Sequence, residues 1–374
     1  MGRDVCLPPA RRSTGRNIDM RIVLGSILTI STWAIIQFVG ASYATAGTQE
    51  KPPSTRTPVV LKSLLGLENP NDRLLAGNVL TEGQIQLGRL LFFDKRLSID
   101  RSIACASCHI ATTAFTDSRP VSRGVRGLTG DRNAPTVINR VFGKQLFWDG
   151  RAATLEEQSL GPLVNSVEHG FLVYDDVVKT LRSIRGYRKL FMEVFSENIT
   201  IENVGIALAN FQRTILSGNS PVDRFDYGVD LNALTQSAQR GFRVFQGKGR
   251  CIRCHAGPNY TDEQFHNLGI GWESSHVDLG RYAITHQPED IGAFKTPTLR
   301  EISRTAPYMH DGRFNTLREV INFYNHGGVK NPFQDNTIGS LFLSDEERED
   351  LEAFLTALNG EGWQHVLPPA SFPK

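Results

Sequence analysis

Apolar residues recur at helical spacing over most of the chain. The runs are broken by Gly- and Pro-rich loops and few stretches alternate as strands do, so the pattern predicts a mainly α fold. Two of the predicted helices resemble each other. Leu80-Thr81-Glu82-Gly83-Gln84 runs on to Gly88 and Phe92, and Leu234-Thr235-Gln236-Ser237-Ala238 runs on to Gly241 and Phe245. Thr81 and Gln84 have the spacing of a capping box, in which the threonine hydroxyl and the glutamine side chain each satisfy a free backbone N–H at the helix start. A last helix is predicted by Ser344-Asp345-Glu346-Glu347, the apolar Leu351, Phe354, Leu355 and Leu358, and the stop Asn359-Gly360. Between the similar helices, Gly218, Asn219, Ser220 and Pro221 interrupt a helical pattern. The internal repeat therefore predicts two related domains, residues 61–218 and 219–374.

The amino-terminal pattern differs. Arg11, Arg12, Arg16 and Arg21 lead into an apolar run from Ile22 to Val39, followed by Ala44-Thr45-Ala46. This is the layout of an export signal cleaved after Ala46, which predicts a periplasmic protein with residues 1–46 removed and 47–60 as a linker. The run is just long enough to span hydrocarbon, so an uncleaved membrane anchor is the alternative reading. A signal beginning at Met20 is the shorter version.

Length and charge narrow the picture. The 374 residues suffice for two domains with cores of their own. With 41 Lys plus Arg against 39 Asp plus Glu the net charge is +2, which gives no footing for a nucleic-acid partner.

The cysteines carry the chemistry. Cys105-Ala106-Ser107-Cys108-His109 and Cys251-Ile252-Arg253-Cys254-His255 each place two thiols one helical turn apart with an imidazole directly after. Such thiols add to the two vinyl groups of a haem, and the histidine then ligates iron from beneath; thiol exchange or a zinc half-site would not call for that histidine. Two covalently bound c-type haems are expected. The fifth cysteine, Cys6, lies in the segment expected to be removed, so none remains for a structural disulfide. Ligands for the far side of each iron are scarce. Beyond the signal the methionines are Met192 and Met309, and the histidines outside the motifs are His169, His266, His276, His286, His310, His326 and His365. Met192, within Leu190-Phe191-Met192-Glu193-Val194-Phe195, reads as a core residue.

Leu91-Phe92-Phe93-Asp94, the first CxxCH, Arg132-Asn133-Ala134-Pro135-Thr136, Phe147-Trp148-Asp149-Gly150-Arg151-Ala152, Glu157-Gln158, the second CxxCH and Thr305-Ala306-Pro307-Tyr308-Met309-His310-Asp311-Gly312 follow one another in the order of a known pattern. Together they resemble the bacterial di-haem cytochrome c peroxidases over about residues 80 to 358. The resemblance implies two cytochrome c-like domains that reduce hydrogen peroxide at the first haem. Electrons would enter at the second from a small donor such as a cytochrome c or cupredoxin, with a calcium ion between the domains and a homodimer as a possible assembly. It makes His109 and His255 the proximal ligands, sets Trp148 between the haems as a relay, and gives calcium the Asn133 side chain and the carbonyls of Thr305 and Pro307. Glu168 and Gln158 match the distal pocket of the first haem, with Glu168 as the group that moves the proton.

Two departures from the common pattern resemble the MauG branch, which oxidises residues of a protein substrate. Many of these peroxidases carry a histidine in the loop before Arg-Asn-x-Pro-Thr, but the Arg119–Arg132 loop has none and Val125 holds the place, which predicts an open first haem. The distal ligand of the second haem is usually methionine, whereas counting from Pro307-Tyr308 places Tyr324 there; Phe323-Tyr324 also reads as a plain core pair, with Met309 and His326 as spare ligands. His169, where methionine is common, reads as a supporting contact. A pure electron carrier is the remaining alternative, requiring both irons closed.

Overall fold

The computed structural model describes residues 56–74 and 79–374; the expected signal and most of the linker lie outside the described residues. Helix dominates, and among the described residues the one sheet is a two-residue antiparallel pair, β1 (Phe265–His266) with β2 (Phe294–Lys295), in the register Phe265 opposite Lys295. Among the described residues no helix is long and apolar enough to cross a membrane.

The internal repeat is visible as packing. Helix α1 (Glu82–Phe93) starts at the predicted capping box, with Gln84 N–H donating to Thr81 Oγ1 at 3.3 Å and Thr81 N–H to Gln84 Oε1 at 3.1 Å. Later in the first half come α2 (Leu155–Leu160), α3 (Tyr174–Ser183), α4 (Arg185–Phe195) and α5 (Ile201–Arg213). Then α6 (Pro221–Asp226) follows the break at Gly218–Ser220, before α7 (Gln236–Gln246), α8 (Leu317–His326) and α9 (Asp345–Thr356), the last with its capping box at Ser344 and Glu347.

Helix α1 crosses α5 at Gly88, where a Cβ would lie 1.8 Å from the Ala207 carbonyl oxygen and 2.8 Å from Phe211 Cβ. Helix α7 crosses α9 at Gly241 in the same way, 1.9 Å from the Asp350 carbonyl oxygen and 2.9 Å from Phe354 Cβ. Next to each crossing lies an aromatic pair, Phe92 with Phe211 at 5.2 Å between centroids and Phe245 with Phe354 at 4.9 Å. Such pairs contribute ~1 kcal/mol beyond the area they bury. No side chain fits between these backbones. Gly88→Ala is expected to cost ~2 kcal/mol or more through overpacking, read as a lower midpoint in denaturant titration.

Two main apolar clusters form. One draws on residues 87–215 and the other on 222–358, and each contains one of the crossings. The carboxy-terminal tail does not stay with the second cluster. Trp363 and Val366 pack into the first, and the tail carbonyls of Leu367, Pro373 and Lys374 accept bonds from Arg89, Arg96 and the Gly186 N–H.

Met192 is not a core residue. It stands 49% exposed because α4 buries Tyr187, Phe191 and Val194, at spacings of four and three, and Met192 falls outside that stripe.

Candidate functional site

Both CxxCH segments fold into a single helical turn that draws each histidine back under its first cysteine. His109 N–H donates to the Cys105 carbonyl at 2.9 Å, and His255 N–H to the Cys251 carbonyl at 2.9 Å. The imidazoles are fixed alike. His109 Nδ1 lies 3.1 Å from the Phe115 carbonyl oxygen and His255 Nδ1 lies 3.0 Å from that of Tyr260, with both acceptor residues at positive φ. A carbonyl accepts only from a protonated Nδ1, so each ring keeps Nε2 as a bare lone pair for a metal. Burial holds both imidazoles below the ordinary histidine value and so neutral, the form that ligates. All four cysteines are free, and burial pushes Cys105 and Cys251 up to about 12, so the thiols stay protonated until they react.

These groups face one cavity of ≈ 1140 Å³, above the usual range for a small-molecule pocket of about 300–1,000 Å³. Cys108, His109, Cys251, Cys254 and His255 all line it, as do Trp148, Gln158, Glu168, Asn133, Thr305, Pro307 and Tyr324. Paired thiols, two oriented neutral imidazoles and a large void fit two haems. Cys105 stands behind the wall, with its Sγ 3.9 Å from His169 Nε2.

Glu168 is half-buried, and burial raises its carboxyl above the ordinary range against the opposing pull of Arg151. Its backbone is pinned: the Val167 and Glu168 N–H groups donate to Asn165 Oδ1 at 2.9 and 3.3 Å, and the Glu168 carbonyl accepts from Val125 N–H at 3.1 Å. Among the described residues no hydrogen bond holds the carboxylate itself. Gln158 reaches the cavity from α2, whose start is capped by Thr154.

Val125 is buried against Gly170 and does not line the cavity, although Ser122, Gly124 and Gly130 of the same loop do. Its role is to hold the Glu168 backbone. His169 is buried too, with Nδ1 2.6 Å from the Leu97 carbonyl oxygen, so its ring brackets Cys105 instead of entering the cavity.

Trp148 is anchored at both ends. Its indole N–H donates to the Asn133 carbonyl at 2.9 Å, and its own carbonyl accepts from Lys295 N–H at 2.8 Å. Its ring meets His310 edge-on at 6.5 Å, and His310 stacks on Phe294 at 3.5 Å. Asn133 uses Nδ2 to donate to the Arg119 carbonyl at 2.8 Å. Among the described residues nothing donates to Asn133 Oδ1 or to the carbonyls of Thr305 and Pro307, three unpaired oxygens of a kind that suits a hard cation, all on residues lining the cavity.

Tyr324 projects into the cavity from α8, and burial pushes its phenol well above the ordinary value. Of the spare ligands, Met309 lines the cavity whereas His326 is exposed, with Nδ1 2.6 Å from the Asn322 carbonyl oxygen. His266 lines it too, but Asp335 and Asp262 hold its two nitrogens at 2.5 and 3.1 Å. Arg140, Glu263 and Lys295 were not legible in the sequence as site residues, because single charged residues far apart in the chain carry no spacing signal.

A model of the di-haem cytochrome c peroxidase family matches residues 82–230. The chain is 38% identical to the methylamine utilization protein MauG of Methylophilus methylotrophus over 288 residues, covering 76% of this chain and 84% of that one. It belongs to the di-haem cytochrome c peroxidase family. Cytochrome-c peroxidase IdrP2 of Denitromonas iodatirespirans is 36% identical, covering 78% of this chain and 85% of that one. Among solved structures, a MauG-like protein associated with microbial copper homeostasis matches at TM-score 0.72 and 33% identity, covering 83% of this chain and 96% of the other. As a member of this family the protein is a haem-dependent oxidoreductase that carries two c-type haems. The mainly α fold and the cytochrome c peroxidase class expected from the sequence hold.

Proposed function

We propose that the protein reduces hydrogen peroxide to water in the part of the cavity shared by His109 and Glu168, with electrons from a small periplasmic donor protein arriving at the His255 side. The observation that carries this reading is Glu168, a half-buried carboxyl with no hydrogen-bond partner among the described residues, on the cavity that His109 faces. The haems supply the two electrons the reaction consumes. The protein supplies proton handling: Glu168 as carboxylate takes a proton from one peroxide oxygen and returns it to the other as that oxygen leaves, while Gln158 holds the peroxide by hydrogen bonding. Two further protons come from solvent, so one peroxide gives two waters.

Residues 61–218 and 219–374 are assigned as the two haem domains, with the tail from Trp363 strapping back onto the first. Trp148 is assigned as the relay between them, and a calcium ion on Asn133 Oδ1 and the carbonyls of Thr305 and Pro307 as the brace beside it. Tyr324 is assigned, with His255, as a residue that would hold the iron of the second haem. Burial holds its phenol above the ordinary value, so a bound ferric iron would have to draw off the proton. The diferric protein is expected to show one high-spin and one low-spin signal by electron paramagnetic resonance. Tyr324→Phe should move the low-spin signal alone; a signal that stays put removes Tyr324 as a ligand.

The donor face follows from charge. Ile252, 39% exposed between the cysteines of the second motif, is flanked along the chain by the exposed Arg250 and Arg253. This pair of cations suits an acidic partner. Reversing Arg250 and Arg253 to glutamate is expected to raise the donor KM about tenfold at low ionic strength, with the difference closing as salt is added.

A second reading has its own support. Tyr324 on the cavity wall and the loop without histidine also suit a MauG-like enzyme that oxidises tryptophan or tyrosine of a partner protein.

A further inference from the structure

Beside Trp148 two largely buried cations, Lys295 and Arg140, share one carboxylate in direct contact. Lys295 Nζ is 3.3 Å from Glu263 Oε2, and Arg140 Nη1 is 3.9 Å from Glu263 Oε1, with side-chain exposures of 7%, 12% and 5% for Lys295, Arg140 and Glu263. The neighbouring carboxylate, Asp262, is hydrogen-bonded to His266 at 3.1 Å. Arg140 Nε donates to the Ile138 carbonyl at 3.3 Å, but its Nη2 is buried with no hydrogen-bond partner. Burial and the nearby charge of Arg140 hold Lys295 down at about 8. An orphaned buried guanidinium N–H calls for an acceptor.

Arg140 and Lys295 both line the cavity, and Lys295 hangs from the Trp148 carbonyl through its own N–H. A haem carries two propionates, so the missing acceptor comes with the group that fills the cavity. We propose that Arg140 and Lys295 together bind a haem propionate beside Trp148, which makes them positioning residues that also set the potential of that haem. This rests on the two-haem reading above. A cation next to a propionate offsets its negative charge and so favours the ferrous state. Removing the cation favours the ferric state.

The test is a spectroelectrochemical titration of the holoprotein, in which the two haems are followed by their separate absorption bands. Lys295→Met and Arg140→Gln should each lower the reduction equilibrium constant of the same haem by at least tenfold, which is 59 mV for one electron. The other haem should move by less than threefold, and the band that shifts shows whose propionate is held. Lys189→Gln, exposed on α4, should move neither. Two unmoved potentials in both variants, with both haems attached, would overturn the proposal. Should Lys295→Met fail to accumulate, Lys295→Arg is read instead: its resonance Raman propionate bending band should differ from that of the native protein, and an identical band overturns the proposal equally. If the native protein carries no covalent haem by pyridine haemochrome assay, the two-haem reading fails, a result distinct from unmoved potentials.

Discussion

Glu168→Gln is expected to lower kcat for peroxide reduction by ~10²–10⁴-fold while both haem spectra stay native, the usual range for losing a positioned general acid–base. Glutamine keeps the size and the hydrogen bonding of the side chain but cannot carry the proton, so the loss should fall on kcat and only weakly on the KM for peroxide. Native activity should also depend on pH in a set direction. The working form at the start of the cycle is the carboxylate, and burial raises the carboxyl above its ordinary value. Activity therefore falls as pH drops through that raised value, and the acid limb lies at higher pH than an exposed glutamate would give. In Glu168→Gln this limb should vanish. Steady-state kinetics across pH checks both, and a variant within threefold of native kcat would remove Glu168 from the chemistry.

Replacing Cys251 and Cys254 together with alanine is expected to bring donor-driven turnover to background. The haemochrome assay should then report half the native haem, because the second haem loses both thioether links. Reaction of the first haem with one equivalent of peroxide should persist, since His109, and Glu168 within electrostatic reach of Cys105 and Cys108, go with the other attachment site. Stopped-flow measurements with and without reduced donor separate the two steps. Circular dichroism controls for collapse of the second apolar cluster around the emptied space. Full donor turnover in this variant would mean that electrons enter at the first haem.

The legible parts of this protein were those written within a few residues of one another. The two CxxCH motifs, the capping boxes at Thr81 and Ser344 and the helices they start could be read directly, because caps act over three residues and helical faces over four. The repeat was legible from Gly88 with Phe92 and Gly241 with Phe245, but its reason was not: the glycines are required by Ala207 and Asp350, more than a hundred residues further along the chain. Met192 was misread because an apolar string does not reveal which stripe of the helix turns inward. His326 reads as a spare ligand near Tyr324, yet a helix turns positions two apart to nearly opposite sides, and it faces solvent. His169 was legible only as unusual; its contact with Cys105 depends on a loop folding back over the first motif. The cluster brings Arg140 to Glu263 and Lys295, more than a hundred positions further along, and a single lysine in a two-residue strand carries no mark of burial.

The protein is proposed to couple an open haem site beside His109 and Glu168 to an electron port beside His255. Rapid mixing of the diferric protein with hydrogen peroxide, in the presence and absence of a reduced acidic cytochrome c, tests it most directly. The account predicts fast oxidation of two cytochromes per peroxide over many turnovers. A long-lived spectral change with the cytochrome left reduced, or no reaction with peroxide at all, would contradict it.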